Sequence, residues 1–421
     1  MLRTFILSLL FLFSLSMFAQ SAETYRTEGK IDGIHTLLIR HSEDWMRPPI
    51  LIEGQEGKIE IGFDEFSLNY RDLYYEVIYC EADWTRSRLS SLDYMEGFNN
   101  IQLRSYATSF NTRRDYTHYS LTLPNEEISF KLSGNYVVRF YDHDTDEELV
   151  TACFSIAENQ VSISGSVEFD TDAGFRKEYQ QVAFAIHYPK YNINNPQAEV
   201  KVFVQQNRRA DTEVSGFQPT FLQSNKLVYQ HKKELIFEGC NEYRRFEMVT
   251  THNTDMGVEK MEYVAPYYHI ELQQPLTNRL QAGYVYNQDL NGRSFIRYDK
   301  ADNNDVEADY FVAHFRLPMQ QVAGGEMYVS GEFTNNRLSE FNKMAYNELL
   351  QQYEAVIPMK QGVYDYQYLF VPNDATRGTT KYTEGNYYET ENEYLIMVYH
   401  RPLGGRYDKL IGYSILQSNT K

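Results

Sequence analysis

Apolar and polar positions alternate with a period of two along most of this chain. In Tyr136-Val137-Val138-Arg139-Phe140, one face collects Tyr136, Val138 and Phe140. Val150, Ala152, Phe154 and Ile156 repeat the pattern, and Val182, Phe184 and Ile186 do so again. Val200, Val202 and Val204 follow, and near the end Tyr364, Tyr366, Tyr368 and Phe370 share a face across Asp365 and Gln367. A period of two places alternate side chains on one side of a strand. The polar run Asp142-His143-Asp144-Thr145-Asp146 between two alternating stretches predicts a hairpin. Helical spacing is scarce. Leu338 to Tyr353, with Phe341, Met344 and Ala345, fits either a helix or two short strands and a loop.

Short strands separated by turn signals predict a mainly β fold of tandem immunoglobulin-like β-sandwich domains with few helices. Composition agrees: 36 Tyr and 25 Phe suit pleated, half-buried surfaces. Two interruptions suggest boundaries. Ala157 to Gln160 precedes a fresh alternating run, and Asp299 to Asp309 is acidic and lacks large apolar residues. The expected division is a signal segment over 1–20, an N-terminal sandwich over 21–157, a second over 158–300 and a C-terminal one over 301–421. The last resembles the early-set immunoglobulin-like modules appended to polysaccharide enzymes, a likeness that speaks to fold alone.

The first residues read as an export signal. Arg3 is basic, Thr4 to Phe18 is apolar, and Ala19 or Ala22 offers a cleavage edge. No later apolar run approaches the length of a membrane helix. The formal net charge is -18, and basic pairs such as Arg208-Arg209, Lys232-Lys233 and Arg244-Arg245 are scattered among acids. That argues against nucleic acid and anionic lipid, and disfavours acidic partners. A soluble, exported protein is expected, with no cofactor and no small-molecule substrate.

Candidate chemistry is thin. Asp142, Asp144 and Asp146 start like a calcium loop, but Glu147 stands where an EF-hand needs Gly, and no Glu stands at the twelfth position. Asp299, Asp302 and Asp305 read as a charged linker. His118 and His314 sit in strand-like runs without metal-ligand spacing, and no Gly-x-Ser-x-Gly elbow occurs. Gly324-Gly325 and Gly404-Gly405 read as turns. Trp45 and Trp84 read as core or edge anchors. Cys80 and Cys153 fall on predicted neighbouring strands and could pair in an oxidising compartment, but three buried small apolar side chains, Cys240 included, is the preferred reading. No catalytic, metal-binding or cofactor-binding residue is assigned, and an enzyme is not expected.

An ordered set of chemically neutral motifs carries more information. It runs from Pro48-Pro49-Ile50 through Cys80-Glu81-Ala82-Asp83-Trp84, Tyr94-Met95-Glu96-Gly97-Phe98 and Ser133-Gly134-Asn135-Tyr136. It continues through Gly239-Cys240-Asn241-Glu242-Tyr243-Arg244-Arg245-Phe246 and Asn291-Gly292-Arg293 to Lys360-Gln361-Gly362-Val363-Tyr364. In order and spacing this set resembles the type IX secretion system plug proteins of Bacteroidetes. The resemblance implies a periplasmic protein that binds a giant outer-membrane β-barrel translocon and blocks its periplasmic mouth. Two other readings compete. One is a periplasmic glycan-binding protein or accessory module of a carbohydrate-active enzyme. The other is an outer-membrane barrel, which charged neighbours such as Glu199 and Lys201 disfavour.

Overall fold

Alternate side chains of the early strands meet in one interior. Ile59, Ile61 and Phe63 of Ile59–Glu65 and Tyr119, Leu121 and Leu123 of Thr117–Leu123 form one wall. Leu73, Tyr75, Val77 and Tyr79 of Leu73–Cys80 form the other, together with the two alternating faces of the expected hairpin. That hairpin is present: Gly134–Asp142 pairs antiparallel with Glu148–Ala157, Tyr136 opposite Phe154 and Val138 opposite Ala152. One sheet runs Ile34–His41, Ile59–Glu65, Thr117–Leu123, Tyr106–Thr108. Its partner runs Glu28–Gly29, Glu148–Ala157, Gly134–Asp142, Leu73–Cys80, Ile101–Gln102, with Ile50–Ile52 added parallel to Glu148–Ala157. The structure is a computed structural model that describes residues 24–171, 177–274 and 279–418. The expected signal segment, 1–20, lies outside the described residues.

Cys80 and Cys153 do not sit on neighbouring strands, as the sequence suggested. The strand Gly134–Asp142 lies between theirs, with Asn135 opposite Cys80 and Val137 opposite Cys153. Two strand spacings amount to about 9–10 Å, beyond the Cα separation a disulfide spans. All three cysteines are free thiols. Burial pushes each thiol up, Cys153 to about 12. Cys80 and Cys153 join Tyr25, Ile78, Trp84 and Val137 in a small apolar cluster apart from the main core of this sandwich.

The strands of the remaining chain group differently from the division expected at 300/301. A second sandwich sets Ser162–Glu168, Tyr179–His187, Lys226–Tyr229, Phe221–Gln223 and Ile236–Glu238 against a sheet ordered Val214–Ser215, Val200–Gln206, Glu393–His400, Lys409–Gln417. The last two strands come from the far end of the chain. Tyr394, Ile396 and Val398 complete the core begun by Val182, Phe184, Ile186, Val202 and Val204. Conversely, Arg244–Met248 pairs with Gly362–Pro372, and Val258–Val264 with Tyr267–Leu272 joins Tyr310–Pro318 and Gln352–Lys360 in a third sandwich. The last core residue of the first cluster is Ile156, and the first of the second is Val161. An acidic stretch marks a break in alternation but carries no information about which strands pair.

In the third sandwich Tyr364, Tyr366, Tyr368 and Phe370 do face the core. The stretch from Leu338 to Tyr353 is not a helix. It holds the short strand Ala345–Asn347, a turn, and the start of Gln352–Lys360, with which Ala345–Asn347 pairs. Phe341 is 46% exposed while Met344 is buried, so the helical face that the spacing suggested does not exist.

Buried seams and a candidate interaction surface

Three polar networks join the sandwiches, and strand positions next to apolar ones supply them. Between the first and third, Asp64 and Lys360 are both fully buried, and Lys360 Nζ lies 2.7 Å from Asp64 Oδ2. Tyr310 donates its hydroxyl to the same oxygen (2.7 Å), and His118 Nδ1 lies 2.6 Å from Oδ1. Lys360 also donates to the Asp305 carbonyl (2.7 Å) and sits 4.3 Å from the centre of the Tyr116 ring. Burial pushes the Asp64 carboxyl up, but the Lys360 ammonium and the His118 hydrogen bond outweigh it and hold the group below its usual range. Asp64 is therefore ionised, and the pair is a salt bridge with its hydrogen-bonding positions filled.

The acidic segment 299–309 also contributes to this seam, although the side chains of Asp299, Asp302 and Asp305 themselves are exposed. Phe110 donates its N–H to the Val306 carbonyl, and the Asp309 carboxylate accepts from the N–H groups of Arg113 and Arg114 (2.9 and 3.2 Å).

Between the first and second sandwiches, Asp408 accepts from Ala82 N–H (3.0 Å), Lys201 (2.9 Å) and Arg401 (2.9 Å). Arg401 pairs with Glu81 as well, and Tyr399 donates to the Asn135 side chain at 2.8 Å. Between the second and third, Arg293 grips both oxygens of Glu393 at 2.6 Å. Glu384 accepts from Arg244 (2.9 Å) and Arg279 (3.0 Å). Burial alone would raise the Glu384 carboxyl, but the two guanidinium groups bring it below its ordinary value. Asp365, read as a polar position between tyrosines, is fully buried and bonded to Arg245 (2.9 Å). Gln367 is likewise buried and donates to the Tyr243 hydroxyl. The alternation was right, but both faces of this strand are covered.

The candidates singled out in the sequence have structural occupations. Asp142 Oδ1 accepts from the N–H groups of Asp144 and Thr145, and Asp146 pairs with Arg139, so the acidic triplet builds its own turn. Asp305 supplies a carbonyl to the first seam. His118 is bound to Asp64. His314 lies 2.9 Å from His269, a contact 45 residues apart that spacing could not reveal. Trp45 lies against Phe295 and Arg40, and Trp84 joins the small cluster around Cys80. Gly324 and Gly404 hold turns with φ of +84° and +79°. A cleft of about 330 Å³ separates residues 28–38 from the third sandwich. Among its charged groups, Glu28 pairs with Lys30 and Arg337, and Lys360 with Asp64. Among the described residues no group of three or more His, Cys, Asp or Glu is placed to hold a metal. No described helix is long and apolar enough to cross a membrane.

Exposed aromatics are the outward counterpart of these seams. Tyr70 stacks on Tyr106 with centroids 4.6 Å apart, and Phe98, Phe110 and Tyr263 are 85%, 62% and 47% exposed.

A family model described as type 9 secretion system plug protein, 1st domain, matches residues 34–158. That span corresponds to the first sandwich. A crystal structure of a hypothetical protein from Parabacteroides merdae is 40% identical, covers 94% of this chain and 100% of its own, and superposes with a TM-score of 0.90. The chain belongs to the type IX secretion system plug family. The likeness to the Parabacteroides merdae structure extends well past the matched first domain, over 94% of this chain. Dimeric latent PorU from Porphyromonas gingivalis aligns at 10% identity over 91% of this chain and 34% of its own, with a TM-score of 0.14. No curated protein matches the chain.

Proposed function

We propose that this plug-family chain is a non-catalytic periplasmic protein that binds the periplasmic opening of the type IX outer-membrane translocon channel and seals it. The role is gating by protein–protein contact. Family membership supports the system in which it acts. The observation that carries the mechanical part is the set of seams. A stopper must not bend at its joints, and each junction here is fixed by buried acidic side chains with several partners: Asp64, Asp408, Glu384 and Glu393. Removing either partner of such a pair leaves a buried charge uncompensated, so relative movement of the sandwiches is costly. The titratable groups that sequence or burial singles out are engaged in holding the fold, which supports a binding role. Net acidity suits a partner that is not itself acidic.

Affinity purification of the tagged protein from native membranes tests the proposal. Recovery of a giant outer-membrane β-barrel as the principal partner is expected. Recovery of glycans, or of no partner, would remove it.

A further inference from the structure

We infer that the aromatic band along the junction of the first and third sandwiches is the docking surface, and that it receives a basic protein surface with apolar pockets. The inference rests on the plug reading above and adds where the partner sits. The band begins at the stacked pair Tyr70 and Tyr106, 59% and 40% exposed. Tyr106–Thr108 is the outermost strand of its sheet, and all three of its residues are exposed. The chain then carries Phe110, 62% exposed, onto the third sandwich, where its N–H meets Val306. Arg113 follows, with its guanidinium 4.5 Å from the centre of the Tyr263 ring and 5.0 Å from that of Tyr268. The backbone keeps these residues close: 106 to 113 span at most about 25 Å.

Three features distinguish this band from scattered surface apolar residues. Its residue types are Tyr, Phe and Arg, those enriched at the energetic centres of protein interfaces. Its side chains are already ordered by stacking and by the Arg113 contacts, which lowers the entropy lost on docking. It also straddles two sandwiches, so it exists as one surface only while the Asp64–Lys360 seam holds. Charge selects the occupant. Asp302 and Asp305, both exposed, lie in the acidic segment whose Val306 carbonyl receives the Phe110 N–H. Lysines and arginines around the partner's pockets would meet this acidic rim.

The test is the affinity of the full-length protein for the purified type IX channel in detergent. Phe110→Ser and Tyr106→Ser are exposed changes, checked for wild-type melting, and each should weaken binding at least about ten-fold. Asp302→Lys combined with Asp305→Lys should slow association. Raising ionic strength from about 0.05 M to about 0.5 M should slow it for the wild type. Leu349→Ser removes an equally prominent side chain, 95% exposed at a turn of the third sandwich, and should change nothing. Wild-type affinity in both band variants, or an equal loss in Leu349→Ser, overturns this placement while leaving the plug reading intact. Failure of the wild-type protein to bind the channel at all overturns the reading beneath it.

Discussion

Single side chains decide whether the seams hold. Lys360 is the clearest case, because its ammonium is the counter-charge of a fully buried carboxylate. Lys360→Met should cost about 3–5 kcal/mol, since Asp64 is left ionised and unpaired or must take up a proton. Adding Asp64→Asn should restore part of that loss. Urea unfolding measures both, and a Lys360→Met variant within about 0.5 kcal/mol of wild type would show that the pair is idle. His35 gives a pH signature. Burial against Phe66 and Tyr310 takes its imidazole from an ordinary 6.5 down to about 4. The unfolded chain therefore binds a proton that the folded chain refuses between those values. Stability from this group is complete above 6.5 and falls with pH through that window, by up to about 1.4 kcal/mol per pH unit. Asp64 loses its contribution in the same direction, but only as pH drops below its ordinary 3.8. A pH series of urea titrations should show the decline between 6.5 and 4 in the wild type and a flatter profile in His35→Phe. Identical profiles would contradict it.

At the scale of strands, alternation was readable and pairing was not. Tyr136, Val138 and Phe140 went where a period of two puts them, as did Tyr364, Tyr366 and Tyr368. Glu393–His400 shows what the period hides. All eight of its residues are buried: Tyr394, Ile396 and Val398 face the second sandwich's core, while Leu395, Met397 and Tyr399 pack with Ile50, Ala82 and Ala157 of the first. A strand covered on both faces reads as a continuous apolar run and gives no sign of its partners. Those partners, Val200–Gln206 and Lys409–Gln417, include one nearly 200 residues away. Leu395→Ala and Ile396→Ala, adjacent in sequence and opposite in direction, should each cost about 2–5 kcal/mol. Val356→Ala, at a 58% exposed strand position, should stay within about 0.5 kcal/mol. If Leu395→Ala behaved like Val356→Ala in denaturant melts, the contact between the first two sandwiches would be wrong.

For the whole molecule, the seams were the least legible part of the sequence. Asp64 and Lys360 lie 296 residues apart, and each reads locally as a polar residue bordering a strand. Asp365 and Gln367 looked like the wet side of a tyrosine strand, because a face buried against another sandwich has the same local pattern as one facing water. The ordered motifs conveyed the family because many of them fall at the joints: Glu81 and Ala82, Asn135, Arg244, Arg293 and Lys360 all hold seam contacts. What such a molecule can do follows from its form: three β-sandwiches fixed to one another, with an aromatic band across one junction and an acidic exterior. The most direct measurement of sealing is ionic conductance through single type IX channels, freed of other plugs, in a planar bilayer. Addition of this protein to the periplasmic side should close the open channels, and addition to the opposite side should not. Undiminished current with the protein bound at the periplasmic mouth would contradict the account.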